Sequence, residues 1–134
     1  MASYLADTNI LLRALTPADP QVEGAILRLE AEQHVLLATT QNFIEAWTVT
    51  DAAHALQELE DLFPRLPDRD TVFVEWKRIV RQFEVSGVQV HDARLVATMM
   101  VHDIRHILTL DTRDFQRYEP VGIIAVDPRD VGRL

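Results

Sequence analysis

The stretch YLADTNILLRAL, residues 4–15, decides the fold. Two apolar segments flank the three polar residues Asp7, Thr8 and Asn9. The first segment is short enough for a buried strand, and Thr8 or Asn9 is a good N-cap for a helix over residues 10–15. A strand that ends just before Asp7 leaves its carboxylate pointing into a cleft. Helix capping alone is an alternative reason for an aspartate at this position.

The rest of the chain alternates short apolar runs with amphipathic ones. Strands are predicted over residues 34–39, 106–110 and 122–126, and helices over 22–32, 41–55, 56–63 (a continuation or a second helix), 71–85 after a cap at Asp70, and from His91 onward. This alternation predicts an α/β fold with a mostly parallel sheet of four to five strands. We expect one domain, residues 1–134, in which ligands bind beyond the carboxyl ends of the strands.

Composition narrows the class of protein. The 134 residues include no cysteine, which excludes disulfides, thiolate zinc sites and a cysteine nucleophile and fits a cytoplasmic protein. No apolar run is long enough for a membrane span, and no signal peptide is evident. The formal net charge of −8 disfavours a protein that simply coats nucleic acid. It is compatible with a metal-dependent nuclease, because bound cations reverse the local field.

Carboxylates from distant parts of the chain could meet at the strand ends. They are Asp7 after the first strand, Glu45 in the apolar stretch NFIEAW, Asp92 at a helix start, and Asp111 and Asp114 after the third strand. Bare carboxylates at close range repel each other, and a divalent cation removes the conflict. Hard oxygen ligands suit Mg²⁺ or Mn²⁺, which can polarise a phosphodiester and lower the pKa of an attacking water.

Each acid also has an ordinary structural explanation. Asp92 suits the first turn of a helix because of the helix dipole. Asp111 and Asp114 are common turn residues. Glu45 is the strongest indication of a site, because a carboxylate among apolar residues is costly if it is buried without a partner, although a solvated helix position is the alternative.

Four segments, in this order, resemble the PIN-domain proteins, and more narrowly the VapC-like toxin ribonucleases of bacterial toxin–antitoxin pairs. They are LADTNILLRAL, TTQNFIEAWTVT, VSGVQVHDARLVATMM and ILTLDTRDF. The resemblance covers essentially the whole chain and implies a three-layer α/β/α domain. One departure is visible: many relatives carry Thr-Arg-Pro after the glutamate helix, where this chain has Thr50-Asp51-Ala52.

The resemblance implies an Mg²⁺- or Mn²⁺-dependent endoribonuclease, with a homodimer and a cognate antitoxin as partners. The apolar residues of the first two helices are plausible contact surfaces. The implied catalytic and metal-binding residues are Asp7, Glu45, Asp92 and Asp114, with Thr8, Asn9, Asp111 and Arg113 as auxiliary residues. A PIN nuclease of RNA processing that is not a toxin, and a catalytically silent interaction module, are the alternatives.

Other conspicuous side chains have simpler interpretations. Arg13, Arg94 and Arg113 could bind substrate phosphates or pair with surface carboxylates. Ion pairing is favoured for Arg13 and Arg94, whereas the role of Arg113 stays open. We expect Trp47 to pack in the core or at a subunit contact and Trp76 to anchor its helix, rather than to stack on bases.

Overall fold

A computed structural model of the protein describes residues 1–48 and 53–131. Its centre is a four-stranded sheet in the order β2-β1-β3-β4, in which every neighbouring pair is parallel. The strands are β1 (Ser3–Ala6), β2 (Val35–Leu37), β3 (His106–Leu108) and β4 (Ile124–Val126). The predicted α/β class and parallel sheet are confirmed.

Helices cover both faces of this sheet. They are α1 (Thr8–Ala14), α2 (Pro20–Ala31), α3 (Thr40–Thr48), α4 (Ala53–Leu62), α5 (Thr71–Gln82) and α6 (Gln89–Val101), with 3-10 segments at Thr112–Val121 and Pro128–Asp130. Two features of the sequence fall on residues 49–52, which lie outside the described residues. They are the junction between α3 and α4 and the segment Thr50-Asp51-Ala52 that stands where many relatives carry Thr-Arg-Pro. Within those residues, no helix is long and apolar enough to cross a membrane.

The alternation of side chains along β1 creates two hydrophobic clusters. Tyr4 and Ala6 face the cluster formed with α1 to α4, whereas Leu5 faces the cluster formed with α5, α6 and the first 3-10 segment. The same alternation places Leu108 in the first cluster and Ile107 in the second. The sheet is therefore buried on both faces, as parallel sheets generally are, and the predicted three layers are confirmed.

The strand order creates a crevice at one edge of the sheet. The chain leaves β1 toward β2 on one side and leaves β3 toward β4 on the other. Because the two connections diverge, the carboxyl ends of β1 and β3 border a crevice where α/β proteins usually bind ligands. Asp7 and Thr109 are the first residues after these two strands.

Several element boundaries differ from the predictions. Helix α1 begins at Thr8, and its N-cap is Asp7 rather than Thr8 or Asn9. The side chain of Asp70 makes no capping bond to α5. That helix ends at Gln82, because Glu84 adopts a positive φ of 52° and turns the chain before the predicted stop at residues 86–87.

Candidate active site

Asp7 is fixed in place by the ends of two neighbouring strands. Its backbone N–H donates to the carbonyl of Leu108 at 2.9 Å and so extends the ladder beyond β1. One carboxylate oxygen, Oδ1, accepts from the backbone N–H of Thr8 at 2.8 Å, and Oδ2 accepts from the Thr109 hydroxyl at 2.8 Å. Asp7 is therefore both the N-cap of α1 and a nearly buried carboxylate in the crevice, so the two interpretations of this residue are compatible.

Glu45 is held through both of its carboxylate oxygens. The Thr8 hydroxyl donates to Oε2 at 2.7 Å, and the Gln41 amide nitrogen donates to Oε1 at 2.8 Å. Asn42, which is fully buried one turn earlier on α3, donates to the Thr8 hydroxyl at 3.1 Å. These donors compensate the burial of a carboxylate among apolar residues.

Asn9, on α1, forms hydrogen bonds with the segment that follows β3. Its amide nitrogen donates to Asp111 Oδ2 at 3.2 Å, and its amide oxygen accepts from the backbone N–H of Leu110 at 3.3 Å. Thr8 and Asn9 are the two auxiliary residues beside Asp7 that the resemblance implies. Their side chains bond Glu45 and Asp111, whereas the Asp7 carboxylate is oriented by Thr109 and the Thr8 backbone.

Asp92 carries the electrostatic signature of the site. It lies in the first turn of α6 and is half-buried. Burial raises its pKa most, and four nearby carboxylates raise it further, from 3.8 to about 7. Those carboxylates belong to Asp7, Asp114, Glu45 and Asp111. All five predicted acids therefore lie within electrostatic range of one another.

The pKa of Asp7 is also raised. Burial is the largest cause, and the negative charges of Glu45 and Asp111 add to it. The hydrogen bonds from Thr109 and Thr8 oppose this effect, because they stabilise the ionised form. Asp111 and Asp114 are exposed at the mouth of the crevice, as is Arg113 between them.

The donor chemistry of the crevice suits a hard divalent cation. Within residues 1–48 and 53–131, however, no three histidine or acidic side chains are arranged so that they could hold a metal ion. Mg²⁺ commonly takes only one or two protein carboxylates and completes its shell with water and substrate phosphate. The residues therefore fit Mg²⁺ bound by few direct ligands better than a closed protein cage.

The remaining predicted side chains divide into two groups. Arg13 pairs with Asp19 at 3.4 Å, and the Trp76 indole nitrogen donates to the carbonyl of Val90 at 2.9 Å, which anchors α5 on α6. Both interpretations are confirmed. Arg94 makes no ion pair with any residue that the structure describes, so its pairing stays a prediction. Trp47 is 41% exposed and lines a surface groove instead of lying in the core.

Sequence reasoning missed two positioning residues. Thr109 falls within the strand predicted over residues 106–110, yet it is fully buried after β3 and its hydroxyl also accepts from the backbone N–H of Asp111 at 3.0 Å. Gln41 lies four residues before Glu45, and helical spacing alone places it beside that carboxylate. Two signals in the sequence were available. Thr109 is a polar residue at the end of an apolar run, and Gln41 lies at i−4 from the partly buried Glu45.

A family model described as the PIN domain matches residues 4–119 of the chain. No curated protein matches the chain. A toxin–antitoxin complex from Klebsiella pneumoniae contains a chain 22% identical to this one; the match covers 93% of this chain and 97% of that one, with a TM-score of 0.68. A chain of FitAcB from Neisseria gonorrhoeae is 19% identical; the match covers 93% of this chain and 97% of that one, with a TM-score of 0.66. Mycobacterium tuberculosis VapC20, described as a sarcin–ricin loop cleaving toxin, is 18% identical; the match covers 92% of this chain and 98% of that one, with a TM-score of 0.58. At these identities the likeness to solved structures concerns the fold.

Proposed function

Because this chain belongs to the PIN-domain family, we propose that it is a divalent-metal-dependent endoribonuclease and the toxin of a toxin–antitoxin pair. The observation that carries the proposal is the environment of Asp92, whose pKa is raised first by burial and then by four further carboxylates around one crevice. The fold likeness to chains of toxin–antitoxin complexes supports the toxin assignment. The activity is assigned to one domain, residues 1–134, because both hydrophobic clusters pack on the same sheet.

In this proposal the acids hold Mg²⁺ or Mn²⁺. The residues that hold it, directly or through water, are Asp7, Glu45, Asp92 and Asp114, and Asp111 is auxiliary. When bound, the cation supplies positive charge that neutralises the acids and polarises a phosphodiester. The raised pKa values of Asp7 and Asp92 favour this role, because the cation relieves the repulsion that raises them.

The protein's own groups orient the acids and the substrate. Thr109 and Thr8 hold the carboxylates of Asp7 and Glu45 through single hydroxyl bonds, so neither acid can rotate freely. Arg113 stands exposed at the mouth, where its guanidinium can bind a substrate phosphate. Cleavage by water is expected to leave a 5′-phosphate and a 3′-hydroxyl.

A cognate antitoxin and a homodimer complete the proposal. The apolar residues of α1 and α2 are an unsuitable contact surface, because most of them are buried in the protein's own core. A groove of about 710 Å³ between α3 and α4 is more suitable, since the exposed side chains of Ile44 and Trp47 line it. A basic antitoxin side chain that reached the acids would compete with the cation.

The test is RNA cleavage by the purified protein. Cleavage should stop with EDTA and return with Mg²⁺ or Mn²⁺, and Asp7→Asn should abolish it. Asp19→Asn is the matched control, because Asp19 caps α2 far from the crevice and should leave the activity unchanged. Absence of divalent-dependent cleavage by the wild type would leave a silent interaction module. Undiminished activity of Asp7→Asn would remove Asp7 from the site.

A second measurement separates a toxin from a nuclease of RNA processing. Expression of the wild type should arrest growth, and coexpression of a small protein encoded beside it should restore growth. Asp7→Asn should have no effect on growth. Divalent-dependent cleavage without growth arrest would indicate the processing nuclease instead.

A further inference from the structure

A cleft of about 590 Å³ lies between α5 and the start of α6. The residues that line it are Arg69, Asp70, Val72, Phe73, Trp76 and Arg94. It contains an exposed aromatic face and two guanidinium groups. This combination is not required by the acidic crevice and has no role in the proposed cleavage step.

The aromatic face consists of Phe73 and Trp76. Their ring centroids are 5.9 Å apart and their planes are inclined by 25°, a stacked arrangement. Phe73 is 60% exposed, although a ring of its size normally lies inside. Lys77 extends its ammonium group 5.0 Å from the Phe73 ring centroid and adds positive charge at the rim.

The two arginines are free to bind an external anion. Neither the Arg69 nor the Arg94 side chain has an ion pair or a hydrogen bond to any residue that the structure describes. Five of the ten other arginines, Arg13, Arg28, Arg65, Arg78 and Arg129, contact carboxylates. In a protein of net charge −8, two unpaired guanidinium groups in one cleft indicate an anionic ligand.

One residue, Gln41, lies between the cleft and the acidic crevice. Arg69 and Arg94 line a smaller cavity of about 50 Å³ together with Gln41, whose amide donates to Glu45. The Gln41 amide nitrogen faces two acceptors, Glu45 Oε1 and the carbonyl of His91, which fixes its orientation. Its buried oxygen, Oε1, has no partner among the described residues. Gln41 therefore contacts Glu45 of the acidic site and also lines a cavity next to the two arginines of the cleft.

We propose that this cleft binds the single-stranded RNA that flanks the cleavage site, with a base stacked on Phe73 and phosphates on Arg69 and Arg94. The inference rests on the proposed ribonuclease function. Stacking on aromatic rings together with arginine–phosphate contacts is the usual way in which proteins hold unpaired nucleotides. Arg94 lies two residues after Asp92 on α6, so the two side chains project to different sides of the helix. In this proposal Arg94 therefore binds nucleotides next to the cleavage site and not the phosphate that is cleaved.

The charges of the cleft favour RNA over a second copy of the chain. Three cations, Arg69, Arg94 and Lys77, stand against two acids, Asp70 in the cleft and Asp68 beside it. Two copies that met through this cleft would bring the cations of both into contact. RNA supplies the opposite charge at regular spacing, and it also provides the flat rings that match Phe73.

The experiment measures binding of a fluorescein-labelled, mixed-sequence RNA of about a dozen nucleotides, long enough to span the cleft by known site sizes. Anisotropy is recorded at several salt concentrations in EDTA, and gels verify that the RNA stays intact. Phe73→Ala should weaken binding about fivefold or more without changing the salt dependence. The double variant R69Q/R94Q should reduce the slope of log Kd against log salt by about 1.4, at about 0.7 for each lost phosphate contact.

Two controls on the opposite side of the sheet are matched in chemistry. Leu27→Ala removes an apolar side chain that is 57% exposed on α2, and Arg28→Gln removes a neighbouring cation. Both should bind RNA as the wild type does. A duplex of the same RNA should bind Phe73→Ala and wild type equally, because its bases are not available for stacking.

The outcomes distinguish the inference from the function on which it rests. If the wild type shows no divalent-dependent RNA cleavage, the proposed function fails. If it cleaves RNA but all cleft variants keep wild-type affinity and salt slope, or if the wild type binds no RNA, the cleft inference fails alone. Conversion of a dimer to a monomer by Phe73→Ala, with unchanged RNA affinity, would assign the cleft to a second copy and overturn the inference.

Discussion

The replacement Asp92→Asn tests whether the acids share one electrostatic environment. In the metal-free protein the pKa of Asp92 is about 7, compared with 3.8 for an unperturbed aspartate. The folded protein therefore keeps a proton on Asp92 at pH values where the unfolded chain has released it. The contribution of this group to stability is fully present below about pH 4 and is lost as the pH rises through about 7.

The magnitude follows from the size of this change. A rise from 3.8 to about 7 corresponds to at most about 4 kcal/mol, at about 1.4 kcal/mol for each tenfold change in proton affinity. Asp92 is only half-buried, so screening by water reduces the expected effect to about 1–2 kcal/mol. For 134 residues this equals a rise in Tm of about 4–7 °C for Asp92→Asn at about pH 8.

The assay is thermal unfolding in EDTA at about pH 4 and about pH 8. The gain in Tm for Asp92→Asn should be clear at the higher pH and small at the lower one. Asp61→Asn, on the exposed face of α4, should change Tm little at either pH. Added Mg²⁺ at the higher pH should stabilise the wild type more than the variant. Equal Tm values for variant and wild type at the higher pH would refute the convergence of the acids.

Three further predictions concern the residues that position the acids. Thr109→Val removes the hydroxyl that donates to Asp7 and accepts from the Asp111 backbone, and should lower the free energy of unfolding in urea by about 1–3 kcal/mol. The control Thr98→Val removes a hydroxyl that bonds a carbonyl within α6 and should be nearly neutral. Equal losses in the two variants would contradict the positioning role of Thr109. Gln41→Glu places a second carboxylate against Glu45 and should lower both Tm and RNA cleavage at neutral pH. The control Gln57→Glu, at an exposed position of α4, should lower neither. Intact cleavage by Gln41→Glu would show that Glu45 needs no donor there. Asp111→Asn should reduce kcat less than Asp114→Asn in the same cleavage assay, because Asp111 is already engaged by Asn9; the reverse order would make Asp111 the stronger contributor.

Local patterns were sufficient for the architecture. Short apolar runs separated by amphipathic ones specify a parallel sheet covered by helices, because only burial on both faces stabilises such runs. Asp7 and Asp111 could be assigned to the edge of the sheet in the same way, since each follows an apolar run directly. Glu45 could be recognised because a carboxylate among Phe43, Ile44 and Trp47 requires compensation.

Contacts between distant segments decided the rest. The side chains of Thr8 and Asn9 bond Glu45 and Asp111 instead of their neighbour Asp7. The hydroxyl that donates to the Asp7 carboxylate belongs to Thr109, more than a hundred positions away in the sequence. No local pattern encodes such a choice, because each hydroxyl or amide bonds whichever acceptor the packed helices and strands bring within about 3 Å. Sequence spacing therefore identified the acids, whereas the packing of α1 and α3 against the ends of β1 and β3 selected the donors that hold them.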